Sequence, residues 1–153
     1  MSETRSIEQT FAAVPLFGRL GARKQARLAA LATTRRYREG ATIVRQGDTS
    51  MTLYVVLSGR VRIEREIERG VTVPVGELGT AGAFGEMGLL DDEPRAATVV
   101  ALEPTECALL SKWDFQTELR NDPDIALAVL PVLTQRIREL NARLGREVQP
   151  VAV

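Results

Sequence analysis

The chain has 153 residues, 44% of them hydrophobic and 26% charged, with Lys+Arg and Asp+Glu both at 20; this is the profile of one compact globular domain that can bury its own core. Zero net charge leaves no electrostatic footprint for nucleic acid or an anionic membrane, and no run of 18 apolar residues could span a bilayer. With no histidine and one cysteine, an internal disulfide is excluded, a zinc site would rest on carboxylates almost alone, and the commonest general acid–base is missing.

The opening Met1-Ser2-Glu3-Thr4-Arg5 lacks the basic-then-apolar order of a signal peptide, so a cytoplasmic protein is expected. Ile7, Phe11, Val14 and Phe17 recur at steps of four, three and three, one face of a short helical segment that Pro15 interrupts. Ala22 to Ala32, rich in Ala, Arg and Leu, predicts a second helix with Leu28 and Leu31 on one face. From Thr33 the texture changes to short runs rich in Val, Ile, Tyr and Thr: Arg35–Arg38, Thr42–Arg45, Leu53–Leu57, Val61–Ile67, Val71–Leu78, Ala96–Leu102 and Cys107–Leu110. Glycine turns separate them, which predicts an antiparallel sandwich, roll or barrel. Cys107 reads as a small buried apolar side chain.

Gly82 to Arg95 breaks the strand rhythm with glycines, a proline and four acids, and Glu86 to Leu90 can form a turn or two of helix. Ser111 can cap a helix from Lys112, with Asp114 in the capping box, and Asp122-Pro123 starts another. That last helix should run to about Gly145. Ala126, Leu130, Leu133, Ile137, Leu140 and Leu144, spaced four, three, four, three and four, form an a/d seam along it, suited to its own roll or to a second copy. Arg136, Arg138, Glu139, Arg143 and Arg146 are expected to face solvent, Pro131 to kink the helix as a hinge, and the patternless tail Val148–Val153 to fray. The organisation expected over 1–153 is helices over 1–32, a β-roll over 33–111 and helices over 112–146.

The segment 82–98 carries the chemistry. Gly85 and Gly88 bracket a short turn whose first N–H groups are unpaired and attract anions. Arg95 offers a planar fork for two phosphate oxygens, and the carboxylate of Glu86 suits a sugar hydroxyl. Together they match a phosphorylated ribose. The same residues also admit a plain surface loop in which Arg95 pairs with Asp91, Asp92 or Glu93.

Phe84-Gly85-Glu86-Met87-Gly88-Leu89-Leu90, followed by Pro94-Arg95-Ala96-Ala97-Thr98-Val99, closely resembles the phosphate-binding cassette of the cyclic-nucleotide-binding domain family. Upstream, Pro15-Leu16-Phe17, Leu20, Gly40, Ile43, Gln46-Gly47-Asp48 and Leu53 to Gly59 resemble the family's earlier landmarks. The resemblance implies a mainly β fold, an eight-stranded antiparallel β-roll with N-terminal helices and a long C-terminal helix. It implies that Glu86 binds the ribose 2′-hydroxyl, that Arg95 binds the cyclic phosphate, and that backbone N–H groups from Gly85 to Met87, next to Phe84, cover both. Val75 is the expected apolar wall for the base. Members selective for cGMP tend to carry Thr directly after the cassette Arg; Ala96 stands there, which implies cAMP before cGMP. Aligning the Pro-Asp-Ile of the C-terminal helix brings Asn141 near the base, and the equivalent helix in catabolite-activator-like members pairs with its twin.

The expected partners are therefore a cyclic nucleotide, a homodimer mate along the C-terminal helix and an effector protein, with no nucleic acid, membrane, metal or resident cofactor. Catabolite-activator-like members continue into a helix-turn-helix domain; this sequence ends at Val153, and a stand-alone sensor without catalysis is expected. The alternatives are a nucleotide-independent dimerisation domain on the same roll and a phosphodiesterase, which would need an activated, usually metal-bound water.

Overall fold

The computed structural model describes residues 2–145; Arg146 and the tail 148–153 lie outside the described residues. The first helix, α1, spans Ser2–Ala12 and gives way to a 3₁₀ turn at Pro15–Phe17, where the proline takes the first position of the turn. Helix α2 spans Ala22–Leu31. Eight strands follow: β1 Thr33–Tyr37, β2 Thr42–Val44, β3 Thr52–Ser58, β4 Val61–Glu68, β5 Val71–Leu78, β6 Ala83–Phe84, β7 Thr98–Ala101 and β8 Thr105–Ser111. Helices α3, Lys112–Asn121, and α4, Pro123–Leu144, close the chain.

The strands form two antiparallel four-stranded sheets, ordered β1-β8-β3-β6 and β2-β7-β4-β5. Strand β3 explains how the layers assemble. Its side chains alternate between faces, and both faces are covered. Leu53 and Val55 enter a core with Phe11, Phe17, Leu28, Phe115, Ile125 and Val129 from the helices, while Tyr54 and Val56 enter the interior of the roll with Val61, Phe84, Val99 and Cys107. Hence β3 reads as an unbroken apolar run. Phe17 sits at the middle of the helical core, 5.7 Å from Phe11 and 6.1 Å from Phe115 by ring centroids, in the tilted pairing that aromatic quadrupoles favour. Burying each such ring contributes about 1.5–3 kcal/mol.

The helix starts follow their sequence signals. Ser111 Oγ accepts from the Asp114 N–H at 3.0 Å, and Asp122 Oδ1 accepts from the Asp124 N–H at 3.2 Å with Pro123 behind it. Lys24 on α2 also donates to Asp122 at 2.6 Å, so this cap fastens the α3–α4 junction to the N-terminal helices. The Lys24 contact holds the Asp122 carboxyl below the usual range.

Two expectations are corrected here, and the two open readings of the α4 seam are narrowed. Strand β6 lies inside the glycine-rich segment that carried no strand signal; Phe84 pairs with Tyr54 in register and stacks on it at 4.9 Å. Strand β7 starts at Thr98, not Ala96, because Arg95 turns inward. On α4 the core-facing line is Ile125, Val129 and the half-buried Leu133, whereas Leu130, Ile137, Leu140 and Leu144 are exposed. Trp113, in the first turn of α3, is 71% exposed. Among the described residues, no helix is long and apolar enough to cross a membrane, and no three metal-ligating side chains gather.

Candidate functional site

The site is the cavity between the 82–98 segment and the second sheet, with a volume of about 370 Å³, within the range of small-molecule pockets. The β6 pairing sets its edge. By locking Phe84 onto Tyr54, it delivers Gly85 and Glu86 to the start of a 3₁₀ turn at Met87–Leu89. Gly85 has φ +86°, and a Cβ there would run into Arg95 Nη1 and stand 2.8 Å from the Thr52 carbonyl oxygen. Only glycine combines that backbone with that approach. Gly88 in turn lies so close to Ser50 that a Cβ would overlap its hydroxyl.

Arg95 is 8% exposed and held from several directions. Its N–H donates to the Asp48 carbonyl at 2.8 Å and its own carbonyl accepts from Gly47 at 2.8 Å. Nη2 donates to the Thr52 carbonyl at 2.8 Å, and the guanidinium carbon lies 5.5 Å from the Tyr54 ring centroid, within cation–π range. Nη1 is buried with no hydrogen-bond partner. Burial lowers the guanidinium pKa, yet arginine stays charged. A buried cation with an idle donor at a cavity wall is costly unless a partner satisfies it, and the chemistry of that donor suits an anion. The surface-loop alternative does not hold: Arg95 is buried, and among the described residues no ion pair joins it to Asp91, Asp92 or Glu93, since Asp92 pairs with Lys112 and Asp91 Oδ1 accepts from the Glu93 N–H, although Asp91 and Glu93 also line the cavity.

Glu86 lines the same cavity, and its Oε1 accepts from Arg136 Nη1 on α4 at 3.4 Å. Burial pushes the Glu86 carboxyl above the usual carboxylate range, and the Arg136 guanidinium pulls it partly back. Arg136 was expected to face solvent. It instead lies at the edge of the inward face of α4, at steps of four, three and four through Ile125, Val129 and the half-buried Val132, beside the core line that ends in Leu133; reading α4 along that edge would have found it.

Phe84, Gly85, Glu86, Met87, Arg95 and Ala96 all line the cavity. Val75 does not. It is 61% exposed on β5, at the bulge where Ile63 pairs with Gly76 and Glu64 with Pro74, and a bulge re-aims the side chain it carries. The apolar wall is made by Val44, Ile63 and Val99. Asn141 does not line the cavity either. It lies five residues past Arg136, about 7.5 Å further along the axis and about 140° round the helix. Thr98 is turned away, its Oγ1 accepting from the Gln46 N–H at 2.9 Å.

A larger recess of about 600 Å³ beside the β4–β5 hairpin is lined by Arg45, Glu64, Glu66, Glu68 and Arg69 among others. The Gln46 side chain reaches into it, bonding both the N–H and the carbonyl of Glu66. It offers mixed exposed charge and no idle buried donor.

The cyclic nucleotide-binding domain model matches residues 34–122. The Cyclic AMP receptor protein of Thermus thermophilus is 38% identical over 110 residues, which cover 72% of this chain and 51% of that protein. The cAMP-dependent protein kinase regulatory subunit of Mucor circinelloides f. lusitanicus is 36% identical over 111 residues, covering 72% of this chain and 26% of that protein. Among solved structures, the N-terminal domain of a transcriptional regulator from Streptomyces coelicolor A3(2) matches with a TM-score of 0.77 at 32% identity, covering 84% of this chain and 90% of that one. The chain thus spans about half of the first relative and about a quarter of the second.

Proposed function

Since the chain belongs to the cyclic-nucleotide-binding domain family, we propose that it binds a 3′,5′-cyclic nucleotide, cAMP, as a regulatory sensor in the cytoplasm and reports occupancy through α4. The observation that carries this reading is Arg95 Nη1, buried beside Gly85 with no partner. A cyclic phosphate supplies its missing acceptor, and N–H groups of the 85–87 turn complete the anion's shell. Glu86 accepts from the ribose 2′-hydroxyl. The base lies against Val44, Ile63 and Val99. Two relatives are named for cyclic AMP, and Ala96 offers no hydroxyl to a guanine amino group.

The Glu86–Arg136 contact supports output through α4, because it joins the ribose-reading carboxylate directly to the helix. The exposed row Leu130, Ile137, Leu140 and Leu144 supports a homodimer, since it leaves a heptad face uncovered. An effector protein then reads the helix. Titration calorimetry with cAMP and cGMP tests the binding reading, and cAMP should be recovered intact afterwards. Failure to bind either nucleotide would leave a nucleotide-independent dimerisation domain, and turnover would make the protein a phosphodiesterase.

A further inference from the structure

Lys112, the first residue of α3, is 6% exposed. A buried ammonium is retained where it is fully hydrogen-bonded, and here both acceptors lie on the segment that leads to Arg95. Nζ donates to the Asp91 carbonyl and to Asp92 Oδ1 at 2.9 Å. The contact holds the Asp92 carboxyl below its usual range, although Asp92 itself is open to solvent. The Asp91–Pro94 segment is exposed throughout. Its own bonds are local, from the Asp91 N–H to the Met87 carbonyl and from the Glu93 N–H to Asp91 Oδ1. Among the described residues, Lys112 supplies the hydrogen bonds that tie this segment to another element.

The other end of the tie matters as much. The Lys112 N–H donates to the Met51 carbonyl at 2.9 Å. Ser50 seats Gly88, and the Thr52 carbonyl holds Arg95 Nη2. Three consecutive residues leading into β3, Ser50, Met51 and Thr52, thus brace the turn after Gly85, the Lys112 tether and the Arg95 fork.

We propose that Lys112 is a positioning residue for the cyclic nucleotide: its ammonium clamps the Asp91–Pro94 segment to the start of β3 and so fixes the spacing between the 85–87 amides and the Arg95 guanidinium that grip the phosphate. It touches no ligand. Its contribution is preorganisation, which sets affinity by removing the ordering that binding would otherwise require. The inference rests on the cyclic-nucleotide reading above.

The test uses the full chain and cAMP. Lys112→Met keeps the length of the stem and removes the charge. It should weaken cAMP binding by about tenfold or more while the melting temperature of the free protein stays level or rises, since a buried charge is replaced by an apolar group. Lys112→Arg should recover much of the affinity. In the Arg95→Leu background Lys112→Met should cost little further, because the spacing it maintains then serves no anchor. In the free protein, Lys112→Met should speed amide exchange at 91–93 and leave β3 and α3 unchanged. Unchanged affinity in Lys112→Met, or full additivity with Arg95→Leu, overturns the proposal. Wild-type protein that binds no cyclic nucleotide overturns the function reading instead; the clamp is then judged on amide exchange alone, and unchanged exchange at 91–93 overturns it.

Discussion

At the scale of single residues the site centres on one unmet hydrogen-bonding demand, that of Arg95 Nη1. On the cyclic-nucleotide reading, Arg95→Leu removes the guanidinium that would meet the phosphate and should cost about 2–5 kcal/mol in cAMP affinity, as when one partner of a buried charge pair is truncated. Thermal stability of the free protein should change little, because loss of the Nη2 bond to the Thr52 carbonyl and of the Tyr54 contact is offset by removing a buried charge with an idle donor; calorimetry and a melting curve read the two effects separately. Glu86→Ala should weaken cAMP markedly but hardly affect a 2′-deoxy ligand. That double-mutant cycle detects a direct contact, and full additivity speaks against one. Ala96→Thr places a hydroxyl on the cavity wall and should improve cGMP by about 1 kcal/mol, the net worth of one hydrogen bond, while cAMP is unchanged. Wild-type preference for cGMP would remove the basis of that assignment.

At the scale of elements, α4 meets the site through one ion pair, and the pair has a pH signature. The ionised form of Glu86 is the stronger acceptor for a ribose hydroxyl. Burial raises its pKa and Arg136 opposes the rise, so affinity should fall as pH drops through that pKa. Arg136→Met leaves burial unopposed. The pKa moves further up, and affinity should be lost at a higher pH than in wild type, with the two proteins converging well above it; titrations of both proteins from the ordinary carboxylate range up to neutral pH check the direction. The sequence made the short turn after Gly85 and both helix caps legible, because glycine spacing and Ser111 and Asp122 act locally. It hid β6, a two-residue strand whose only signal is the distant Tyr54 it stacks on. Val75 was misread because a bulge shifts the register that strand alternation assumes. Arg136 was misread because α4 carries two apolar lines, and the stronger heptad is the one facing out.

For the whole molecule, that outward line is the feature a lone chain leaves unmatched. Leu130, Ile137, Leu140 and Leu144 are each more than half exposed, and burying the remainder of each would contribute about 1–1.5 kcal/mol. Leu140→Asp should therefore abolish a dimer seen by sedimentation equilibrium and leave the melting transition of the monomer almost unchanged. Leu133→Asp would disturb both, since Leu133 also packs on the helical core. A monomeric wild type at every concentration tested would assign the row to the effector instead.

Trp113 is the chain's single tryptophan, and it follows Lys112 directly at the start of α3. Its indole is bathed in water while its backbone neighbour grips the segment ahead of Arg95. The molecule therefore carries its own optical probe at the joint between the nucleotide cavity and the C-terminal helices. Its emission should be that of a solvated indole, open to acrylamide quenching, and any change in quenching as cAMP is added reads the state of that joint without a label.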